Sequence, residues 1–459
     1  MDQKGESQKM RKTILAACTA ILMAGTAHAQ AAPAASATQA AAHVTYIHAG
    51  ALLDRPGGRP RGASTVIVRD GKIAEVRDGF AAPEGGAELV DLKDRFVLPG
   101  LIDMHVHLYS DGDPLKERLE GPGRDYEDEF VIAARHARVT LESGFTTVRD
   151  LGGEPRGIAT LRDAINAGDL PGPTIVPAGK MISVSGGHGD ANGVNRDLYE
   201  AMHQHQTNIC DGADECRRAV RAQIRDGAEV IKFAATGGVL SNVAGGLGRQ
   251  MTLDEMRAIV ETAHSFGRKA TAHAHGKEGI ETALEAGVDS IEHGSFLDEN
   301  TVKLFKAKGA YLVPTMIAPV TALRNARAGA LPAPTLVKAE AAAAAAKKNH
   351  ALAVRSGVKI AFGTDTGVSK HGDNAQEFAL MLEAGMTADQ AIRAATLDAA
   401  DLLGRADRLG SIEPGKDADI IAVAGSPLED VHRLETVDFV MRHGTVHKLG
   451  GKRQPFPVD

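Results

Sequence analysis

The chain has 459 residues, a formal charge of -7 and 43% apolar residues, which suits one body of roughly 250–300 residues with an accessory unit rather than a small module. Trp is absent and aromatics reach only 4%, so aliphatic side chains must fill the core. No Lys/Arg-rich block lies beyond the extreme N-terminus, which argues against nucleic acid as a partner.

Residues 1–29 read as an export signal. Lys9, Arg11 and Lys12 form a basic stretch, an apolar run follows from Ile14 to Ala24, and Ala27-His28-Ala29 fits a small-residue cleavage site. The apolar run is too short to span a bilayer. The expectation is an exported protein, periplasmic or secreted, with no membrane anchor. Residues 30–42 are Ala-rich and are expected to form a disordered linker.

From residue 43 the pattern becomes β-like. Thr45-Tyr46-Ile47, Ser64-Thr65-Val66-Ile67-Val68 and Lys72-Ile73-Ala74-Glu75-Val76 predict strands. Asp70-Gly71 predicts the hairpin turn between the last two. Near the other end, Ala418 to Val423 and Phe439-Val440-Met441 predict strands, with Arg442-His443-Gly444-Thr445 as a turn. Residues 43–98 and 412–459 are therefore expected to build a small β-sandwich from both termini.

Residues 99–411 alternate β-runs with helical signals. Eight β-runs end near His107, Asp150, Lys180, Ala235, His275, Gly294, Thr315 and Asp365. Thr252-Leu253-Asp254-Glu255 is a capping box, and Met256, Ile259, Val260 and Ala263 then share one helical face. Thr387-Ala388-Asp389-Gln390 opens another helix, and the Ala-rich run from Ala339 to Lys348 has high helix propensity. Eight alternations predict an α/β fold, a (β/α)8 TIM barrel. A doubly wound sheet is the alternative, but no G-x-G-x-x-G follows the first strand.

Polar residues at the strand ends carry the chemistry. His105 and His107 follow the apolar run Phe96 to Ile102, and residues two apart on a strand share a face. Strand four offers Lys232, in Val230-Ile231-Lys232-Phe233, strand five His273 and His275, strand six His293 and strand eight Asp365. Each has an ordinary structural explanation by itself: a core histidine, an ion-pair lysine, a helix cap. Strand ends converge on one mouth in a barrel, and the joint pattern argues for a metal site. Glu292 beside His293 suits a group that orients a ligand. Cys210 and Cys216 could form a small-loop disulfide or remain free thiols.

The pattern resembles the metal-dependent amidohydrolase superfamily over about residues 44–450, through Pro99-Gly100-Leu101-Ile102-Asp103-Met104-His105-Val106-His107 and Ile412-Glu413-Pro414-Gly415-Lys416-Asp417-Ala418-Asp419. The resemblance implies two divalent metal ions, with zinc expected ahead of manganese or cobalt. His105 and His107 would hold one, His273 and His293 the other, and Lys232, carbamylated, would bridge them. Asp365 would bind metal and move the proton.

Ser183-Val184-Ser185-Gly186-Gly187-His188-Gly189, the His-Ala-His of strand five, and Gly363-Thr364-Asp365 followed by His371-Gly372 are similar to the Xaa-Pro dipeptidase-like and ochratoxin-degrading subgroup. That implies cleavage of an amide next to a free carboxylate in a small-molecule amide or dipeptide. His188 and His275 are candidate catalytic groups, and His188, His275, His371 and Ser110 candidate substrate contacts. A homo-oligomer, an octamer among the forms expected, is also implied. The alternatives are a cyclic-amide hydrolase resembling imidazolonepropionase and a non-catalytic metal-binding barrel.

Overall fold

A computed structural model describes residues 43–203, 206–243 and 245–456. The expected export signal and linker lie outside the described residues. Among those described, no helix is long and apolar enough to cross a membrane.

Among the described residues there are sixteen strands. Four open the chain: β1 (Val44–Leu52), β2 (Ser64–Arg69), β3 (Lys72–Asp78) and β4 (Glu88–Pro99). Eight follow in the central region: β5 (Leu101–Val106), β6 (Phe145–Asp150), β7 (Thr174–Pro177), β8 (Val230–Ala234), β9 (Lys269–Ala274), β10 (Ser290–His293), β11 (Tyr311–Val313) and β12 (Lys359–Ile360). The last are β13 (Ile420–Val423), β14 (Val437–Arg442), β15 (Thr445–Leu449) and β16 (Lys452–Arg453).

Both chain ends meet in one eight-stranded sheet, ordered β16-β15-β14-β13-β4-β1-β2-β3. The hairpin read from Asp70-Gly71 forms, with φ of 49° and 76° at the two residues and Arg69 paired to Lys72. The ladder is continuous rather than split into two facing sheets. Strand β4 is the reason: its 12 residues pair with β1 along much of their length and with β13 at Phe96–Pro99. Alternation then sorts the side chains. Ile420, Ala422, Phe439 and Met441 join Ile47, Val66 and Val90 in an apolar cluster of the sheet. Ile421, Val423 and Val440 point the other way and pack into the central core with Phe145 and Leu101.

The central strands are all parallel and lie in two arcs, β5-β6-β7 and β12-β11-β10-β9-β8. Hydrogen bonds join the arcs at both edges. Ile182 N donates to Lys232 O at 2.9 Å on one side, and Met104 N to Phe362 O at 2.9 Å on the other. Strand β12 is shorter than the sequence predicts. Asp365 has a φ of 58°, outside strand geometry, yet its N–H donates to His105 O at 2.7 Å and keeps the segment against β5. Helices fill the connections. Thr252 and Thr387 cap helices Leu253–Ser265 and Ala388–Ala394 with reciprocal capping boxes, as the sequence predicts. Ala339–Lys348 lies within helix Ala333–Arg355. Cys210 and Cys216 are joined as a disulfide.

Candidate active site

The C-terminal ends of the parallel strands bring the predicted residues to one cavity of about 340 Å³. His105, His107, Ser110, His188, Lys232, His273, His275, His293 and Asp365 all line it. The chain delivers them by period: His105 and His107 leave β5 on one side, and His273 and His275 leave β9 likewise.

Four groups face one another at the floor. His105 Nε2 lies 3.3 Å from His107 Nε2, 3.4 Å from Asp365 Oδ1 and 3.5 Å from Lys232 Nζ. His107 Nε2 is 3.1 Å from the same Asp365 oxygen. His105 Nδ1 sits 2.9 Å from Glu292 Oε2, within charge-attraction range though off the line of a straight hydrogen bond. That contact favours the ring proton on Nδ1 and turns the Nε2 lone pair to the floor.

A second group lies beside the first. The ligand atoms of His273, His275 and His293 fall within 4.8 Å of one another, as do those of His105, His293 and Asp365. His293 Nδ1 bonds Thr315 Oγ1 at 2.8 Å and His275 Nδ1 bonds Ser295 Oγ at 2.8 Å, which leaves each Nε2 free. His273 Nε2 is buried with no hydrogen-bond partner. Buried nitrogens and a carboxylate with few protons between them are the donor chemistry of a divalent cation. The residues present therefore fit a metal centre.

Burial sets the electrostatics. It lowers His105 to about 4, helped by the charge of Lys232, and lowers His273 and His293 well below the ordinary value. It brings Lys232 down to about 8 against the pull of Glu292 and Asp365. Burial raises Asp365, but His105 and His107 outweigh it and hold the carboxyl low, so it is ionised at neutral pH.

Several supporting residues escaped the sequence reading. Arg149, buried on β6, donates to Glu292 Oε1 at 2.7 Å and to Met104 O at 2.6 Å. Burial raises Glu292, but Arg149, His105 and Lys232 together outweigh it and hold the carboxyl well below the usual carboxylate range. Asp103 accepts from His105 N at 3.0 Å, Thr364 Oγ1 at 2.7 Å and Asn374 Nδ2 at 2.8 Å, tying β5 to the Asp365 segment. Its spacing, two before His105, was the available signal.

His371 does not reach the cavity. Its ring stacks on His136 at 4.1 Å, and its Nε2 bonds Ser110 O at 3.1 Å behind the loop. The segment after Asp365 turns back through Gly367, Val368 and Ser369, so His371 lies beneath Ser110 rather than across from it. Ser110 lines the cavity with Oγ 2.9 Å from Gly367 O and 3.0 Å from Glu117 Oε1. The rest of the wall is apolar: Leu151, Met181, Val239, Leu240, Ala318, Pro319, Ala322 and Val368.

The comparisons with known proteins agree with this geometry. The amidohydrolase family matches residues 96–449. An ochratoxinase of Aspergillus niger is 35% identical over 429 residues, covering 89% of this chain and 88% of that protein. A solved Xaa-Pro dipeptidase with bound methionine is 40% identical, with a TM-score of 0.83 over 88% of this chain and 100% of that one. A solved prolidase complexed with N-methylphosphonate-L-proline is 29% identical, with a TM-score of 0.80 over 90% and 100% of the two chains. The chain belongs to the amidohydrolase family, beside the dipeptidase-like and ochratoxin-degrading members, and is a hydrolytic enzyme.

Proposed function

We propose that the chain is a binuclear metal-dependent hydrolase of amide bonds next to a free carboxylate, acting on dipeptides, N-acyl amino acids and ochratoxin-type amides. The strand arcs are read as a closed (β/α)8 barrel over residues 99–411, and the terminal sheet as a sandwich curled round its own apolar cluster. The observation that carries the function is the meeting of His105, His107, Lys232, His293 and Asp365 at one cavity floor.

His105, His107 and Asp365 would hold one ion, and His273 and His293 the other. Lys232 would bridge as a carbamate: its neutral amine adds to carbon dioxide and releases one proton. A pKa near 8 leaves some neutral amine at physiological pH. Bound divalent ions, zinc first for this donor set, supply Lewis-acid polarisation and a water of lowered pKa. Asp365 takes the proton of the attacking water at its carboxylate and returns it to the leaving amine. His188 and His275 orient the substrate's carboxylate or carbonyl oxygen, and the apolar wall excludes water.

Metal analysis with a hydrolysis screen of N-acyl amino acids and X-Pro dipeptides tests this. Two equivalents of metal per chain and cleavage of these amides are expected, both lost with chelator. Lys232→Ala should lose metal and regain it with a small carboxylic acid. Normal metal content in that variant overturns the bridge.

A further inference from the structure

Lys338 lies on helix Ala333–Arg355, outside the set of residues that line the cavity. Its ammonium donates to Gly238 O at 3.0 Å and to Ser241 O, two carbonyls of the loop that follows β8. Among the described residues no carboxylate pairs with it. Other lysines of the helix behave differently: Lys347 is 76% exposed and pairs with Glu383.

That loop does two things at the site. It carries Val239 and Leu240 into the cavity wall. It also places Gly238 flat against His188, where a Cβ would come within 2.3 Å of the imidazole. His188 in turn lies against His273, with ring centroids 4.2 Å apart. The same helix grips the loop a second time, because Val239 packs against Ala339 and Ala342. Leu240, Val320 and Val337 are all exposed apolar residues, although Leu240 also lines the cavity.

We propose that Lys338 is a positioning residue. By fixing Gly238 and Ser241 it holds Val239 and Leu240 as the wall on which a bulky apolar acyl group of the substrate packs. This rests on the amide-hydrolase reading above. A bulky acyl group gains from each apolar contact of that wall, whereas a small one does not reach it, so the clamp acts on KM and on selectivity.

The test compares Lys338→Met, Lys338→Arg and the control Lys347→Met in the metal-loaded full chain, with acetyl- and benzoyl-amino acids as probes. For Lys338→Met, KM for the benzoyl substrate should rise by about 10- to 100-fold with kcat and metal content little changed, as for a misplaced positioning group. The acetyl substrate should change least, Lys338→Arg should recover part of the loss, and Lys347→Met should match wild type. Without substrate, amide exchange in residues 237–248 should quicken in Lys338→Met alone. Unchanged exchange, or an equal loss on both substrates, overturns the clamp. If wild type cleaves neither probe, the N-acyl amino acid part of the proposed function fails, and the exchange experiment still decides whether Lys338 holds the loop.

Discussion

The cavity end of the parallel strands and the sheet made from both chain ends place backbone strain and buried charge differently. The described non-glycine residues with positive φ divide between them. Asp70 and His443, at 49° and 46°, sit in the sheet's hairpins, where tight turns favour that conformation. His293, Thr315 and Asp365, at 70°, 47° and 58°, sit at the cavity end, where no hairpin requires it. Thr315 is β-branched, so the conformation is costly there. Its hydroxyl instead fixes the His293 ring. Buried charge is grouped differently as well. Arg149, Lys232, Glu292 and Asp365 are buried together near the cavity, whereas the sheet's buried Arg442 and His447 lie outside its apolar cluster. The sheet is built for stability, and the cavity end gives some of it up to aim side chains.

Substitutions in each region should separate these roles. The largest effect is expected from Asp365→Asn, which should lower kcat by about 10²- to 10⁴-fold with an unchanged circular dichroism spectrum. Near wild-type turnover would remove Asp365 from proton transfer. Arg149→Met leaves Glu292 without its guanidinium, and should destabilise by about 3–5 kcal/mol in denaturant titration. It should also reduce metal content, since His105 leans on Glu292. Phe439→Ala, in the sheet's cluster, should destabilise by a similar ~3–5 kcal/mol, yet leave kcat and metal content of the folded enzyme unchanged. Equal metal loss in both variants would erase the distinction between the regions.

The smallest effect concerns pH. Burial, with Arg442 nearby, lowers His447 on β15 from 6.5 to about 4. The unfolded chain therefore binds a proton more readily than the folded one. This contribution to stability is fully present above 6.5 and is lost as the pH falls towards about 4. His447→Gln should narrow the gap between melting temperatures measured at neutral pH and at about pH 5. A gap as wide as in wild type would place that acid sensitivity elsewhere.

Much of this was legible because its signals are local. The His-x-His spacing, the turns at Asp70-Gly71 and His443-Gly444, the capping boxes and the eight β-runs all depend on residues a few positions apart. Periods of two and 3.6 translate such spacings directly into faces. What lay hidden depends on distant partners. His371 and His188 were both candidate substrate contacts in sequence, yet the return of the chain after Asp365 stacks His371 on His136. Arg149 looked like any strand arginine until β6 and β10 brought it to Glu292.

The sequence by itself determined that histidines, a lysine and an aspartate recur in or just after the central β-runs, because strand geometry fixes direction over two residues. Only the tertiary structure decided which of them share a cavity, which support from behind, and that one long β4 strand fuses the two terminal β regions into a single sheet. Those outcomes turn on contacts between segments more than a hundred residues apart, where packing and backbone hydrogen bonding, not local spacing, select the neighbours.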